Sequence, residues 1–496
     1  MQPLSTLLTI DKTSREPVYL QIAVQLTTLI RGGSLRAGHR LPSTRQIALW
    51  LDIHRKTAVQ AYDELLLQGW LESRSGSGTF VAKELPEIKL QRLPRTPIGD
   101  EETVAPKGFT FRPAPHLDRE VLKPPAAYHL DDGLPDMRLA PLEALSRAYR
   151  SQLLTGTPYL RLGYGDTCGA PRLRQALAAY LNETRGLTCG PENILIVRGS
   201  VMGMYLASTG FLQPGDTVVV GEWNWGGANM NFEQAGARLL TIPVDGEGIV
   251  VDALEDICRR GPVRMVYVTS HHHYPTTVAL CADRRVRLLQ LAEQYGFIIF
   301  EDDYDYDFHY LGKPLLPLAG ADRAGMVLYC GSFTKAIAPA FRVGYLVGPE
   351  NAIRHLGQLR RIIDRQGDNL LENAFADLLA GGIIQRHLRK AMRAYKERRD
   401  VFCALLQTRL GNHVQFQVPD GGMAVWTHFD PAIDLKKLSQ QALQHDLYIS
   451  DGLLHHPHAP LPNATRLGFA SSTPQELERS VEILVRLLQN HVLPLY

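Results

Sequence analysis

Residues 298–347 read IIFEDDYDYDFHYLGKPLLPLAGADRAGMVLYCGSFTKAIAPAFRVGYLV. Three short apolar runs lie in this stretch: Ile298–Glu301, Val327–Gly331 and Gly344–Val347. Each is the length of a strand, rich in β-branched or aromatic residues, and bounded by acids, glycine or proline, so each reads as a buried strand. Polar residues cluster at the ends of these runs. Asp302, Asp303 and Tyr304 follow the first, Ser332 to Lys335 follow the second, and Arg342 precedes the third.

Further runs lie upstream at Ile194–Arg198, Thr217–Val220 and Arg264–Thr269. Helical patterns such as Pro171–Thr184 and Ala282–Tyr295 lie between them. Alternating strands and helices predict a mostly parallel sheet with helices on both faces. Beyond about residue 350 the pattern turns mainly helical, with strands expected near Met423–His428 and Thr465–Phe469, and no internal repeat is visible.

A lysine just past a strand end can reach the crevice of an open α/β sheet. With an acid and an arginine at neighbouring strand ends, it supplies what pyridoxal phosphate requires. The lysine captures the aldehyde, the acid keeps the pyridine nitrogen protonated, and a cation with backbone amides holds the phosphate. Taken singly, Lys335 is equally a surface lysine, Asp302 and Asp303 a solvated turn, and Arg342 a partner for some carboxylate. Residue type and spacing leave the two readings level.

Residues 1–82 differ in charge from the rest. They hold nine Lys/Arg and six Asp/Glu, a balance of +3 against +2 for all 496 residues. Between Arg36 and Lys56 there are five cations and one acid. Pro17–Arg31 is a helical stripe with Tyr19, Ile22, Val24, Leu26, Leu29 and Ile30 as its apolar positions, stopped by Gly32-Gly33. Ser43-Thr44-Arg45-Gln46 has the form of a capping box, so a helix starts there. A second helix is expected over Arg55–Gln68, with Val59, Tyr62 and Leu66 on its inner face and Arg55, Lys56, Thr57 and Gln60 outward. Cations and hydroxyls at the start of a second helix are what major-groove docking uses. Trp70–Val81 reads as a hairpin around Ser75-Gly76-Ser77-Gly78, a wing near the phosphates. Together these features predict a winged helix-turn-helix.

Eight prolines fall within residues 83–127, which therefore read as a linker with a maximum span on the order of 150 Å. Apolar residues at 45% and charged residues at 21% exclude a disordered or fibrous chain. No run of 18 apolar residues exists, and the first residues lack a signal-peptide pattern, so a cytoplasmic protein without a membrane span is expected. The six cysteines contain no CxxC pair and read as isolated thiols. Neither His271-His272-His273 nor His455-His456-Pro457-His458 has a carboxylate or thiol at ligand spacing, so no metal is expected.

Leu41-Pro42-Ser43-Thr44-Arg45, Arg55 to Tyr62 and Gly69 to Val81 together resemble the GntR-family DNA-binding domain over nearly all of residues 17–82. The resemblance implies operator contacts from Ser43, Arg45, Arg55, Lys56, Thr57, Gly76 and Gly78. His54 stands where that family usually has a small hydroxyl residue. Residues 128–496 resemble a fold-type-I aminotransferase-like domain. The resemblance rests on Asp132-Gly133-Leu134-Pro135-Asp136, Gly163-Tyr164-Gly165-Asp166 with Gly169, Gly199-Ser200, Glu301 to Asp305, Ser332 to Lys335, Arg342 to Tyr345, and Arg466 to Phe469. The whole chain is similar to the MocR subfamily of GntR regulators.

That likeness implies a small α+β winged helix-turn-helix domain (1–82), the linker (83–127) and an α/β pyridoxal-phosphate-binding domain with a mostly parallel sheet (128–496). The last divides into a large part, about 165–350, and a small subdomain, about 351–496. It implies that Lys335 carries the cofactor, Asp302 faces the ring nitrogen and Tyr304 bonds the ring hydroxyl. Trp225 stacks on the ring, with Trp223 as the competing candidate. Gly199, Ser200, Val201, Ser332 and Arg342 hold the phosphate, Tyr164 reaches a phosphate in the partner subunit, and Arg466 clamps an effector's carboxylate. His273-Tyr274-Pro275-Thr276 departs from the Asn-Pro-Thr-Gly common in such domains, and Gly226-Gly227 leaves no side chain where some relatives place a second arginine. The expected function is transcription regulation by a head-to-tail homodimer that binds double-stranded operator DNA. It would sense an amino-acid-like compound through an external aldimine. The alternatives are a working aminotransferase and a sensor of pyridoxal phosphate itself.

Overall fold

A computed structural model describes residues 4–14, 16–74, 76–85, 109, 113–117, 125–312, 315–453 and 463–492. Most of the expected linker and the His455–His458 cluster lie outside the described residues. The chain forms two compact units, one within 1–111 and one within 112–496.

In the first unit, α1 (Val18–Arg31), α2 (Thr44–Trp50) and α3 (Arg55–Leu67) are followed by the hairpin β1 (Leu71–Arg74) and β2 (Gly78–Val81). Ile22, Leu26 and Ile30 of α1 pack with Ile47 of α2, with Ala58, Ala61, Tyr62 and Leu65 of α3, and with Val81 of β2. Complete burial of each such aliphatic side chain contributes about 1.5–3 kcal/mol. Val24 is exposed, because it lies off the Ile22–Leu26–Ile30 stripe. The fully buried stripe of α3 runs one residue earlier than Val59 and Leu66, which are half-buried, although Leu66 still packs against the same core. The helical period brings Ala58, Ala61, Tyr62 and Leu65 onto one face. The small alanines let α3 approach its neighbours, and the Tyr62 hydroxyl donates to Pro42 O at 2.8 Å.

The capping box at Ser43 is formed. The Gln46 N–H donates to Ser43 Oγ at 3.3 Å, and the Ser43 N–H donates to Gln46 Oε1 at 2.9 Å. His54 takes the hydroxyl's role at the start of α3, its Nδ1 accepting from the Lys56 N–H at 3.2 Å. The wing has a third strand-like segment beside β2, where Leu41 N–H donates to Thr79 O and Val81 N–H donates to His39 O, both at 2.9 Å.

The second unit holds β3 (Tyr128–Leu130), β4 (Ile194–Val197), β5 (Thr217–Gly221), β6 (Arg238–Ile242), β7 (Met265–Val268), β8 (Ile298–Asp303), β9 (Val327–Ser332) and β10 (Gly344–Val347). It continues with β11 (Val414–Phe416), β12 (Ala424–Phe429), β13 (Leu447–Ile449) and β14 (Ala464–Gly468). Seven of these form one sheet in the order β4-β10-β9-β8-β7-β5-β6. Only β10 runs against the others. Strands β4, β5, β7 and β10 are buried throughout, as expected of strands covered on both faces. The covering helices include α4 (Pro171–Arg185), α5 (Gly199–Phe211), α6 (Gly226–Gln234) and α7 (Ala282–Tyr295). The short α8 (Phe333–Ala336) follows β9 directly, and the long α9 (Ile383–Leu410) leads to a second, antiparallel sheet of β11, β12 and β14. β3 pairs in parallel with β13, tying the start of this unit to its C-terminal part.

Replacing Ser43 by alanine removes half of the capping box at a cost of about 1 kcal/mol. Hydrogen exchange at the Gln46 amide should then quicken about fivefold, with amides of α4 unchanged. Unaltered exchange at Gln46 would refute the role of the cap.

Candidate cofactor and effector site

Strands β4, β8 and β9 end at one edge of the large sheet, and β10, being reversed, begins there. Ser332 at the end of β9 faces Gly344 at the start of β10, and Gly344 faces Val197 at the end of β4. The single reversal therefore brings Arg342 beside Gly199, although the two are far apart in sequence. A cavity of about 120 Å³ opens at this edge and is lined by Ser200, Trp225, Tyr267, Thr269, Asp302 and Lys335, with Asp132, Tyr274 and Tyr304.

Lys335 sits in the first turn after β9. Ser332 caps that turn, its Oγ accepting from the Thr334 N–H at 3.1 Å and donating to Thr334 Oγ1 at 2.8 Å. The Lys335 ammonium donates to Gly133 O at 2.6 Å. Asp302 and Asp303 follow one another on β8, so their side chains leave opposite faces of the sheet and meet different surroundings. Asp303 is held by the Tyr329 hydroxyl at 2.6 Å and by His271 at 3.4 Å. Burial alone would raise its pKa, but His271 and Arg185 hold it below the usual range. Asp302 accepts from the Tyr267 hydroxyl at 3.0 Å through one oxygen, while its Oδ1 is buried with no hydrogen-bond partner. Burial pushes its pKa up to about 7, and the neighbouring Asp303 and Asp305 add to the rise.

Tyr304 donates to His272 O at 3.0 Å, and His272 in turn pairs with Asp305 at 2.8 Å. Gly199 opens α5 with φ of +75°. A Cβ there would lie 2.7 Å from the Arg342 guanidinium, which donates to Arg198 O at 2.8 Å. A side chain is thus excluded just where the first-turn amides of α5, including Ser200 and Val201, lack intrahelical acceptors. Val201 presents an exposed side chain, so only its amide is available to the site.

Trp225 precedes α6 and lines the cavity, whereas Trp223 lines a separate groove and lies 6.4 Å from Trp426, ring to ring. Gly227 makes room for the Trp225 indole, since a Cβ there would come within 2.5 Å of it. Tyr164 is 80% exposed with the Arg365 guanidinium over its ring at 4.0 Å, and it does not line the cavity of its own chain. Arg466, on β14 opposite Trp426, is 1% exposed. Its Nε forms an ion pair with Asp132 at 2.9 Å, and its guanidinium lies 4.8 Å from the Tyr274 ring centre. Asp132, Tyr267, Thr269 and Tyr274 were given no role by the sequence reading. Asp132 stood in a motif, but only the fold reveals the Tyr274 hydroxyl donating to it at 2.9 Å. Among the N-terminal residues expected on DNA, Arg45, Arg55 and Lys56 are exposed and Thr57 is half-buried. Ser43 caps α2, and Gly76 and Gly78 form the tip of the wing.

Residues 136–484 match the family of aminotransferase class I and II, and residues 18–81 match bacterial regulatory proteins of the gntR family. The multiple substrate aminotransferase of Thermococcus profundus aligns with a TM-score of 0.68 at 28% identity, over 73% of this chain and 91% of that one. LysN, the α-aminoadipate aminotransferase of Thermus thermophilus complexed with N-(5'-phosphopyridoxyl)-L-leucine, aligns with a TM-score of 0.68 at 27% identity, over 74% and 92%. The larger unit is therefore a domain of the class I and II aminotransferases, a fold that implies pyridoxal phosphate. The probable rhizopine catabolism regulatory protein MocR of Rhizobium meliloti is 31% identical over 481 residues, covering 96% of this chain and 95% of that protein. The chain belongs to the MocR family of gntR-type transcriptional regulators.

The residues present fit the implied cofactor. The unpartnered Asp302 Oδ1 suits a protonated ring nitrogen, and the Gly199 cradle with the α5 amides suits a phosphate.

The raised Asp302 pKa carries a cost in the cofactor-free chain. The stability associated with this group is fully present below its unfolded pKa near 3.8 and is lost as pH rises toward and through about 7. Asp302→Asn should stabilise the cofactor-free chain by about 2–4 kcal/mol at pH 8 but only about 1–2 kcal/mol at pH 5. Thermal unfolding at the two pH values checks this, and an equal shift at both would refute it.

Proposed function

We propose that this chain is a pyridoxal-phosphate-dependent transcription regulator, acting in the cytoplasm, in which an amino compound bound at Lys335 alters promoter binding by the N-terminal unit. The observation that carries the reading is the meeting of Lys335 with the unpartnered carboxylate oxygen of Asp302 in one cavity, on a chain that also bears a gntR-type unit. When bound, the cofactor supplies an aldehyde carbon that condenses reversibly with primary amines.

The chain's own residues then have distinct tasks. Lys335 would hold the cofactor covalently and give place to a ligand amine, its Nζ having the Gly133 carbonyl as acceptor. Asp302 would keep the ring nitrogen protonated, Tyr304 would bond the ring hydroxyl, and Trp225 would cover the ring. Gly199, Ser200 and Val201 offer amides to the phosphate, with Ser332 and Arg342 beside them. Tyr164, exposed on its own chain, reaches the partner's phosphate in a head-to-tail homodimer. Arg45, Arg55, Lys56 and Thr57 contact operator DNA, with Ser43 and the wing glycines Gly76 and Gly78 near the phosphates. Two such units read two half-sites.

The same cavity supports a second reading, a working aminotransferase, because lysine, acid and arginine are all present in it or at its wall. A catalyst turns over many equivalents of amino acid and ignores DNA, whereas a regulator saturates with one equivalent and changes its DNA affinity. A sensor of the cofactor itself would change DNA affinity on cofactor addition alone.

Lys335→Ala should abolish the visible chromophore and the borohydride-trapped adduct, and remove any amine effect on promoter binding measured by gel shift. Arg55→Ala should weaken promoter binding about tenfold or more and lower the slope of log affinity against log salt by about 1. An amine response that survives in Lys335→Ala would overturn the proposal.

A further inference from the structure

The arginine beside the cavity already has a carboxylate neighbour from within the chain. Arg466 is 1% exposed, and the carboxylate beside it at 2.9 Å belongs to Asp132, one residue before the carbonyl that receives Lys335. Its Nη1 lies 3.3 Å from Pro275 O and 3.5 Å from the Tyr304 hydroxyl. The second oxygen of Asp132 accepts from Tyr274 at 2.9 Å.

Asp132 is also fixed by its neighbours. Asp131 accepts from the Leu134 N–H at 2.7 Å and from the Ser471 hydroxyl at 3.1 Å. Gly133 holds φ of +77°, and a Cβ there would lie 3.3 Å from Met423 Cβ and 3.4 Å from Arg466. Upstream, β3 is tied to β13.

The charges at the cavity therefore come in two matched sets. Lys335 and Arg466 are the cations, and Asp302 and Asp132 the acids. A ligand carboxylate would have to break the Arg466–Asp132 ion pair, or add a further negative charge beside Asp132 and Asp302. Either costs far more than placing a neutral carbon chain there.

We propose that Asp132 fills the carboxylate subsite of Arg466, so that the cavity selects primary amines with no carboxylate on the amine-bearing carbon. The inference rests on the proposed binding of amines at Lys335 and narrows their class.

The test is a titration of the full-length chain loaded with pyridoxal phosphate, followed by visible absorbance and by mass of the borohydride-trapped product. Two matched pairs are compared: cadaverine with L-lysine, and pentylamine with L-norleucine. In each pair the amine should half-saturate at a concentration about tenfold or more below that of its parent amino acid, the ratio expected when a buried ion pair must be broken. Asp132→Asn, which removes the charge and keeps the side chain's shape, should cut that preference by about tenfold or more. Amino acids that bind the unmodified chain as tightly as the matched amines would overturn the inference, whether or not the variant folds. So would a preference that Asp132→Asn leaves in place. A loaded chain with no chromophore and no adduct at Lys335 would instead sink the cofactor reading on which this one stands.

Discussion

Asp302 buries a carboxyl at the end of β8 with one oxygen bonded to Tyr267 and the other to nothing in the chain. An acid so placed is costly unless a cation arrives. The rest of the site is arranged around that deficit. Parallel strands deliver Asp302, Ser332 and the start of α5 to one edge, and the reversed β10 adds Arg342. Behind this layer a second set of charges is already paired, Asp303 with His271 and Asp305 with His272. Asp303 and Asp305 each face a histidine, whereas Asp302 has only the Tyr267 hydroxyl, and that difference marks the side on which a ligand belongs.

Much of this architecture was legible in the sequence because its strands are buried on both faces and so read as continuous apolar runs. Ile298–Asp303, Val327–Ser332 and Gly344–Val347 are strands within a residue or two of their expected limits, and α7 begins and ends where its pattern does. β6 was not foreseen. It is an edge strand whose residues run from the exposed Arg238 to the buried Ile242, and it lacks the uniform apolar signature of its neighbours. The direction of β10 was equally invisible, since an apolar run carries no arrow. In the N-terminal unit the shifted inner face of α3 has a simple cause: alanines at 58 and 61 carry less hydrophobic weight in the sequence pattern than Val59 and Leu66, yet they are the fully buried ones.

The candidate site divides along the same line. Lys335, Asp302 and Arg342 could be named because they flank strands. The family resemblance preferred Trp225 to Trp223, and it is Trp225 that lines the cavity, with Gly227 leaving room for its indole. Asp132 and Tyr274 meet across 142 residues, a distance no local pattern spans. His54 illustrates the converse: the residue type departs from habit, yet a ring nitrogen accepts the same amide a hydroxyl would.

The reversed strand has one more consequence. The sheet edge around Gly199 is assembled from the ends of β4 and β9 and the start of β10, segments far apart in sequence. Contacts of such long sequence separation form late in folding. A chain under synthesis therefore completes residues 18–81 long before β10 can dock and close this edge of the sheet.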